Sequence, residues 1–287
     1  DDPENAPFFG SAVVLEDGVA AIKSNSGYVD GDGLSTTHVF EEENDGSWSE
    51  AAVLAYDSGD NSGNPYLGQE LAIDNGEIVI SYGTEWDNPT SVHLQFATRD
   101  DSGWSVQFNE PTPDPLPGEE PIFKPFDHRL PGRSVDISGN LAIVDDGQNE
   151  VARIYQKSEE GLWSEFANLE HNLNDPFDPG SFRPLSVAID NTTAVVTNRN
   201  PFASSQLYFF ELSITGDWSI AGEFLDDELS PVAYVEIEGD TAVVLDAFSD
   251  EIYLYERISG TWQETQSFFT GGDSRAMAFD NGIIAVG

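Results

Sequence analysis

The chain has 287 residues, with 53 Asp and Glu against 11 Lys and Arg, so its formal net charge at pH 7 is −42. Such a charge repels the phosphates of nucleic acids and the anionic face of a membrane, because binding to both depends on Lys and Arg contacts. The sequence therefore predicts no nucleic-acid partner and no direct membrane insertion. Hydrophobic residues still make up 39% of the chain and recur in patterned runs, which indicates a folded protein.

Lysine is the scarcest charged residue and occurs only as Lys23, Lys124 and Lys157. An acidic, lysine-poor surface stays soluble where salt screens its self-repulsion, and at about 1 M salt the screening length is only about 3 Å. A halophilic or marine protein and an ordinary acidic secreted protein are the two alternatives. Because cysteine is absent, disulfides, thiolate metal sites and cysteine catalysis are excluded.

A strand-turn-strand phrase recurs along the chain. Each copy is a short apolar run, a two-residue turn rich in Asp, Asn and Gly, and a second run of small and β-branched residues, which together are the strongest local signal for a β-hairpin. The turns need positive φ, which Gly, Asn and Asp tolerate. We name the two runs strands A and B. The copies begin at Val13, Leu71, Val135, Val187, Val235 and Met277.

A second phrase follows each of the first five copies. An aromatic residue ends an alternating run, a polar turn with glycine follows, and Trp opens the next run, which predicts a second hairpin of strands C and D. We expect each Trp to pack across its strand pair as a structural residue, because aromatic cross-strand contacts add up to about 1 kcal/mol. A carbohydrate-stacking row is the alternative. The pairs are Phe40 and Trp48, Phe96 and Trp104, Tyr155 and Trp163, Phe210 and Trp218, and Tyr255 and Trp262.

Four antiparallel strands per unit, repeated radially, form the blade of a β-propeller, so the fold class is all-β. We expect a single propeller domain over residues 1–287, with five complete repeats and the start of a sixth. The repeats cover approximately residues 8–68, 69–133, 134–185, 186–233, 234–276 and, in part, 277–287. A closed ring normally completes its last blade by joining the two chain ends. We therefore expect the domain to be incomplete at its C-terminus, as a segment of a longer protein or a ring that another chain completes.

The connections between strands differ at the two ends of such a blade. The A–B and C–D turns are short and stereotyped, whereas the B–C and D–A segments vary in length and composition. Variable loops on one face of a rigid scaffold are where binding functions usually lie. The longest segment, residues 109–133, carries seven prolines, which predicts an extended flap. Its candidate binding residues are His128 and the flanking Asp127 and Arg129.

Three phrases carry a family resemblance: Ser186–Val196, Tyr234–Val244 and Ile252–Trp262. They are similar to the bacterial and archaeal FG-GAP-type repeat, which is related to the propeller of the integrin alpha subunit, and Phe9-Gly10 matches the Phe-Gly that often opens the unit. The resemblance covers nearly the whole chain. It implies seven blades and an extracellular or cell-surface role in binding or adhesion, with diverse ligands.

The resemblance also raises the question of calcium. Some FG-GAP blades bind it in a B–C loop of the Asp-x-Asp-x-Asp-Gly kind, which supplies oxygens at alternate positions. The nearest matches are Asp30 with Asp32, then Asp57 with Asp60, and Asp145–Asn149. None has the full ladder of three acids, and a chain with 53 acids places some together by chance, so solvated loop acids are favoured over calcium ligands. No cofactor is required by the motifs, and calcium is the candidate cation.

Sequence motifs typical of enzymes are weaker than the repeat pattern. A glycoside hydrolase needs a pair of carboxylates, but 53 acids prevent the sequence from indicating one pair. The turn Asn44–Trp48 is similar to the Asp-box turn of sialidase propellers, although no arginine motif accompanies it. The four histidines lack metal-ligand spacing, and neither a nucleophile elbow nor a phosphate-binding loop is present.

These observations favour a non-enzymatic β-propeller, extracellular or at the cell surface. Its partners would be a protein or glycan ligand, or copies of itself, on the face that carries the B–C and D–A loops. The alternative is a carbohydrate-active propeller enzyme of the sialidase or lyase type. Arginine and acid side chains converging on the loop face would favour that alternative.

Overall fold

The computed structural model describes residues 8–25, 35–55, 70–83, 92–100, 102–109, 134–146, 150–170, 184–198, 205–226, 233–246, 249–272, 274 and 276–287. These residues form five four-stranded antiparallel sheets and one two-stranded sheet. The predicted all-β class with four strands per repeat is confirmed. The described ranges contain no helix that is long and apolar enough to cross a membrane.

In every sheet the strands are neighbours in the order in which they follow along the chain. Sheet 1 contains β1 (Phe8–Glu16), β2 (Val19–Asn25), β3 (Ser35–Glu42) and β4 (Trp48–Ala55), and sheet 2 contains β5 (Leu71–Asp74), β6 (Glu77–Gly83), β7 (Val92–Asp100) and β8 (Gly103–Asn109). Sheet 3 contains β9 (Val135–Ser138), β10 (Leu141–Asp146), β11 (Val151–Lys157) and β12 (Trp163–Leu169). Sheet 4 contains β13 (Pro184–Asp190), β14 (Thr193–Asn198), β15 (Ser205–Leu212) and β16 (Trp218–Asp226). Sheet 5 contains β17 (Ala233–Glu238), β18 (Thr241–Asp246), β19 (Glu251–Ile258) and β20 (Thr261–Phe269), and sheet 6 contains β21 (Met277–Asp280) and β22 (Ile283–Val286).

The A–B hairpins close on two-residue turns, as the repeated phrase predicts. In sheet 2, Asp74 pairs with Glu77, and the turn residues Asn75 and Gly76 have φ of 50° and 74°. Both values lie in the left-handed region, and this turn type matches the twist of the two strands. The expectation of positive φ at these turns is confirmed.

The chain divides into two compact units. Unit 1 consists of Asp1–Val135 and Lys157–Ser164 and contains sheets 1 and 2. Unit 2 consists of Asp136–Gln156 and Glu165–Gly287 and contains sheets 4, 5 and 6 with most of sheet 3. The packing of each unit follows from the alternation of side chains along its strands.

Within each unit, neighbouring sheets pack through the A–B hairpins. The first and third residues of a repeat phrase contact the preceding sheet, and the second residue contacts the following one. In unit 2, Val235 and Ile237 of sheet 5 thus pack with Ala188 and Val195 of sheet 4. The same arrangement joins sheets 3 and 4, sheets 5 and 6, and, in unit 1, sheets 1 and 2. Apolar burial between sheets is therefore a repeated interface.

Strands B and C of each sheet meet through a pair of one small and one large residue. In four sheets a B-strand alanine lies opposite a C-strand aromatic residue; the pairs are Ala20 and Phe40, Ala142 and Tyr155, Ala194 and Phe210, and Ala242 and Tyr255. In sheet 2 the sizes are exchanged, since Ile78 lies opposite Ala97. Phe96 therefore lies one residue before the position of the other four aromatic residues, and its side chain projects from the other face of its sheet.

Candidate functional site

The loops that the sequence favours for binding fall outside the described residues, and so do their candidate residues. These are Asp30, Asp32, Asp57, Asp60, Asp127, His128 and Arg129. The described part of this end of the sheets includes the last residues of the B and D strands, the first residues of the A and C strands, and a few residues that follow them. We call it the loop end, and we call the end with the A–B and C–D turns the turn end.

Three buried polar residues stand at equivalent positions of the loop end in unit 2. Asp146, Asn198 and Asp246 are the last residues of β10, β14 and β18, and each is 1% exposed or less. We refer to these three residues as the polar floor. Burying a carboxylate or an amide is unfavourable unless the group is hydrogen-bonded or paired, so their partners determine what they can do.

In sheet 3, the floor residue Asp146 belongs to a buried ion cluster. Arg153 Nε donates to Asp146 Oδ2 at 2.7 Å, and Arg153 Nη1 donates to Glu165 Oε2 at 2.9 Å. Burial acts to lower the pKa of Arg153, but the Asp146 and Glu165 carboxylates outweigh it and the pKa is raised. Because the Arg153 guanidinium already binds Asp146, the negative charge of this carboxylate is compensated without a metal ion. That pairing opposes a calcium role for the 145–149 motif.

In sheet 4, the floor residue is an amide in a neutral network. Asn198 Nδ2 donates to Gln206 Oε1 at 2.8 Å, and the Tyr208 hydroxyl donates to the same oxygen at 2.6 Å. Burial is the main cause of the raised pKa of Tyr208, so its phenol stays protonated and remains a donor. These contacts hold the first residues of the C strand against the end of the B strand.

In sheet 5, hydrogen bonds hold the connection between strands B and C and link it to the chain that follows strand D. Asp246 Oδ1 accepts from the Ser249 backbone N–H at 3.2 Å. Asp250, with φ of 57°, accepts from the Thr270 N–H through its carbonyl at 2.8 Å and from the Ser274 N–H through its carboxylate at 3.0 Å. The start of the C strand is thereby fixed to the chain that leaves the D strand.

In sheets 3, 4 and 5, the loop end of unit 2 thus carries polar side chains that are hydrogen-bonded within their own sheet at the points where the loops begin. Such contacts can hold loop ends in one geometry. Sequence reasoning missed the polar floor, although a signal existed: the apolar run of strand B is followed by a polar residue at Ser24, Asp146, Asn198 and Asp246.

The repeat tryptophans differ in their surroundings. Trp163 and Trp262 are buried and stack on Phe96 and Phe209, with ring centroids 4.4 and 4.2 Å apart. Stacked faces of this kind are closed to a sugar ring. Trp218 is partly buried against the core between sheets 3 and 4.

The remaining two tryptophans belong to unit 1. Trp104 Nε1 donates to Glu41 Oε1 at 2.9 Å, while Trp48 is 44% exposed. The partner aromatic residues of the repeat lie in the sheets: Phe96, Tyr155, Phe210 and Tyr255 are buried and Phe40 is half-buried. Burial raises the pKa of Tyr155 to about 12.

The enzyme alternative requires free arginines and a separated carboxylate pair. The described arginines Arg99, Arg153 and Arg257 are each bonded to carboxylates. Glu16 and Asp74 share a hydrogen bond at the turn end of unit 1, and burial, then Asp74, raises the pKa of Glu16. Two carboxyl groups in direct contact are closer than the roughly 5–10 Å that glycoside hydrolysis uses.

Comparison with known proteins gives a result at the level of fold. No protein-family model and no curated protein sequence matches the chain. It is similar to a candidate 6-phosphogluconolactonase from Bacteroides fragilis, with a TM-score of 0.55, 11% identity, and 90% of this chain and 69% of that chain covered. It is also similar to a periplasmic gluconolactonase from Pseudomonas aeruginosa, with a TM-score of 0.56, 14% identity, and coverage of 91% and 70%.

A third similar structure is a protein of unknown function from Desulfotomaculum acetoxidans. Its TM-score is 0.55 at 14% identity, and the alignment covers 97% of this chain and 74% of that chain. At such low identity the similarity concerns the fold and not the activity. Together with the five four-stranded sheets, it shows that the chain has a β-propeller fold.

Proposed function

We propose that this protein is a non-enzymatic binding and adhesion module, extracellular or at the cell surface, which holds a protein or glycan partner on its loop end. In this proposal the propeller is of the FG-GAP repeat type. Its charge of −42 adapts it to salty surroundings, where screening keeps such a surface soluble.

The observation that carries the proposal is the difference between the two ends of the sheets. At the turn end, the A–B strands are joined by two residues, as between Glu16 and Val19 or between Asp190 and Thr193. At the loop end, the connections span residues 26–34, 84–91, 56–70 and 110–134, which differ in length and composition. A rigid scaffold with variable loops at one end is typical of a binding protein.

The polar floor supports the same proposal. Asp146, Asn198 and Asp246 hold the bases of the unit 2 loops through fixed hydrogen bonds, so these loops start from defined positions. Holding a loop in its bound geometry raises affinity, because less conformational freedom is lost on binding. We therefore assign the polar floor a positioning role and the loops the contact with the partner.

The test is binding of the purified protein to a glycan array and to isolated cell-surface polymers, at about 1 M NaCl to screen the charge. Three variants replace residues 26–34, 110–133 or 171–183 with Gly-Ser linkers of equal length. We expect at least one replacement to abolish binding. The matched control is Asp45→Ala at the turn end, where the Asp45 carboxylate bonds only to the neighbouring Ser47; this variant should bind as the parent protein does.

Turnover of a lactone or a sialoside, lost on substitution of loop-end acids, would instead favour the carbohydrate-active enzyme. Calcium is tested separately by melting the protein with and without a chelator. A lower melting temperature in chelator, abolished in the variant Asp30→Asn/Asp32→Asn, would support a cation in that loop. Unchanged melting would remove calcium from the proposal.

A further inference from the structure

A side-chain contact is repeated near the start of two C strands, at the loop end of unit 2. In sheet 4, Gln206 lies opposite a residue of the polar floor, and the Tyr208 hydroxyl donates to Gln206 Oε1 at 2.6 Å. In sheet 5, Glu251 lies opposite a residue of the polar floor, and the Tyr253 hydroxyl donates to Glu251 Oε2 at 2.7 Å. Each contact thus joins an amide or a carboxylate to the tyrosine two residues later.

The two tyrosines place these contacts above neighbouring apolar cores. Tyr208 belongs to the core that sheets 3 and 4 share, and Tyr253 belongs to the core that sheets 4 and 5 share. Residues two apart in a strand point to the same face, so Gln206 and Glu251 lie on the loop-end side of these cores. The tyrosine hydroxyls hold both side chains from below.

The hydrogen bonds of Gln206 determine which way its amide points. Asn198 Nδ2 and the Tyr208 hydroxyl both donate to Gln206 Oε1, at 2.8 and 2.6 Å, so the oxygen is directed towards these two residues. The nitrogen Nε2, with its two N–H donors, occupies the other corner of the planar group. Within the part of the chain that the structure describes, no group accepts a hydrogen bond from Nε2, although Gln206 is only 8% exposed. A nearly buried donor without an acceptor is unfavourable, which indicates that Nε2 serves an acceptor from outside.

Glu251 offers the complementary group. Its Oε2 is occupied by the Tyr253 hydroxyl, and no donor among the described residues bonds to Oε1. A carboxylate oxygen accepts hydrogen bonds, whereas an amide nitrogen donates them. Sheets 4 and 5 therefore present one oriented donor and one oriented acceptor at the loop end.

We propose that Gln206 Nε2 and Glu251 Oε1 bind hydroxyl groups of a neutral glycan. A hydroxyl both donates and accepts, so one kind of ligand group satisfies both positions. An anionic glycan is opposed by the Glu251 carboxylate and by the net charge of −42, and a cationic group cannot bind the donor Nε2. This inference rests on the proposed function of the loop end, and it adds the class of the ligand and two contact residues.

Two nearly isosteric variants test the two positions on an array of neutral and uronate-containing glycans. Gln206→Glu keeps an acceptor oxygen for Asn198 and Tyr208 but replaces the Nε2 donors with an acceptor. Glu251→Gln keeps an acceptor for Tyr253 and replaces Oε1 with a donor. We expect the parent protein to bind neutral glycans and not uronates, and each variant to bind the same neutral glycan at least about tenfold more weakly.

Two controls separate the ligand contact from the stability of the network. Gln263→Glu makes the same chemical change at an exposed position of the turn end and should bind as the parent protein does. Tyr208→Phe removes one hydrogen bond to Gln206 Oε1 but leaves Nε2 in place, and should retain most of the binding. Equal losses in Tyr208→Phe and Gln206→Glu would assign the effect to the network and overturn the proposal.

Nuclear magnetic resonance gives a direct measurement of the contact. The side-chain amide protons of Gln206, identified by their absence in Gln206→Glu, should shift when the parent protein is titrated with a neutral glycan that it binds. Glycan binding that is lost on loop replacement but unchanged in Gln206→Glu and Glu251→Gln would overturn this inference and leave the proposed function standing. Binding to proteins or uronates alone would have the same meaning, whereas a parent protein that binds none of these would contradict both.

Discussion

Two of the three lysines lie in different electrostatic surroundings. Lys23 is buried at the end of β2, where burial lowers its pKa to about 8 and the Glu70 carboxylate offsets only part of that effect. Lys157 forms an ion pair with Glu77, whose carboxylate also accepts from Thr98 Oγ1. The Glu70 carboxylate offsets only part of the unfavourable burial of Lys23, whereas Lys157 is paired directly with Glu77, so we expect the two lysines to contribute to stability with opposite sign.

We predict that Lys23→Met raises the free energy of unfolding at pH 7. Below about pH 8 the lysine is protonated in both states, and the unfavourable burial of its charge is present in full. Between about pH 8 and the unfolded value of 10.5, the folded protein loses the proton while the unfolded chain keeps it, so the parent protein gains stability as pH rises. The advantage of Lys23→Met should therefore shrink by about 1–2 kcal/mol between pH 7 and 9.5, as measured by urea unfolding.

The matched control is Lys157→Met, which removes the partner of a largely buried carboxylate and should lower the free energy of unfolding by about 1 kcal/mol at pH 7. A constant difference between Lys23→Met and the parent protein across this pH range would show that Lys23 keeps an ordinary pKa.

At the scale of elements, two sets of side chains connect neighbouring sheets at the turn end. The first set contains the last residues of the A strands. Each accepts a hydrogen bond from a backbone N–H in the A–B turn of the next sheet, as Asp190 does from Gly239. The second is a C-strand cation that bonds to an acid of the preceding sheet, as Arg99 does to Glu41 and Arg257 does to Glu211, both at 2.6 Å. Each joins sheets that already share an apolar core, and so fixes their register.

We predict that Asp190→Ala lowers the free energy of unfolding by about 1 kcal/mol, because the exposed Gly239 N–H exchanges the Asp190 carboxylate for water as its acceptor. Amide hydrogen exchange at Gly239 should become faster than in the parent protein. Asp45→Ala is the control, since the Asp45 carboxylate bonds only within its own exposed turn, to the Ser47 N–H and hydroxyl. Equal losses in the two variants would show that the contact between sheets adds nothing beyond the local turn.

At the scale of the whole molecule, salt acts on charges in two opposite ways. It weakens partly exposed ion pairs such as Arg257 with Glu211, and each such pair contributes at most about 1 kcal/mol. It also screens the mutual repulsion behind a net charge of −42, which destabilises the compact state. Because the chain has 53 Asp and Glu against 11 Lys and Arg, repulsion among the acids outweighs the attraction within ion pairs, so the second effect is the larger.

We predict that the melting temperature rises by several degrees between about 0.1 and 1 M NaCl, over which the screening length falls from about 10 to 3 Å. Differential scanning calorimetry measures it. A variant with several exposed Asp and Glu residues changed to Asn and Gln serves as control and should respond less to salt. A melting temperature that falls with salt would mean that the ion pairs dominate.

The sequence allowed much of the fold to be predicted and little of the site. The Asn75–Gly76 turn and its counterparts were predictable because positive φ restricts the residue types to a few. The aromatic position in sheet 2 was not. Phe96 is eight residues before its Trp, as Phe40 is. In the structure, however, Ile78 of strand B pairs with Ala97, so Phe96 occupies the position that Phe209 has in sheet 4. Spacing along one strand cannot reveal the register between two.

Local sequence thus sufficed for the strands, the hairpins and the repeat, because each depends on residues within about ten positions of one another. Tertiary structure decided which charges are paired. Arg153 is separated from Asp146 by 7 residues and from Glu165 by 12, and only the pairing of three strands brings these groups together. It also decided which apolar faces are covered: Val13 and Val187 occupy the same place in the repeat phrase, yet one is exposed and the other buried. Burial and charge pairing arise from contacts between separate sheets, which a local pattern does not contain.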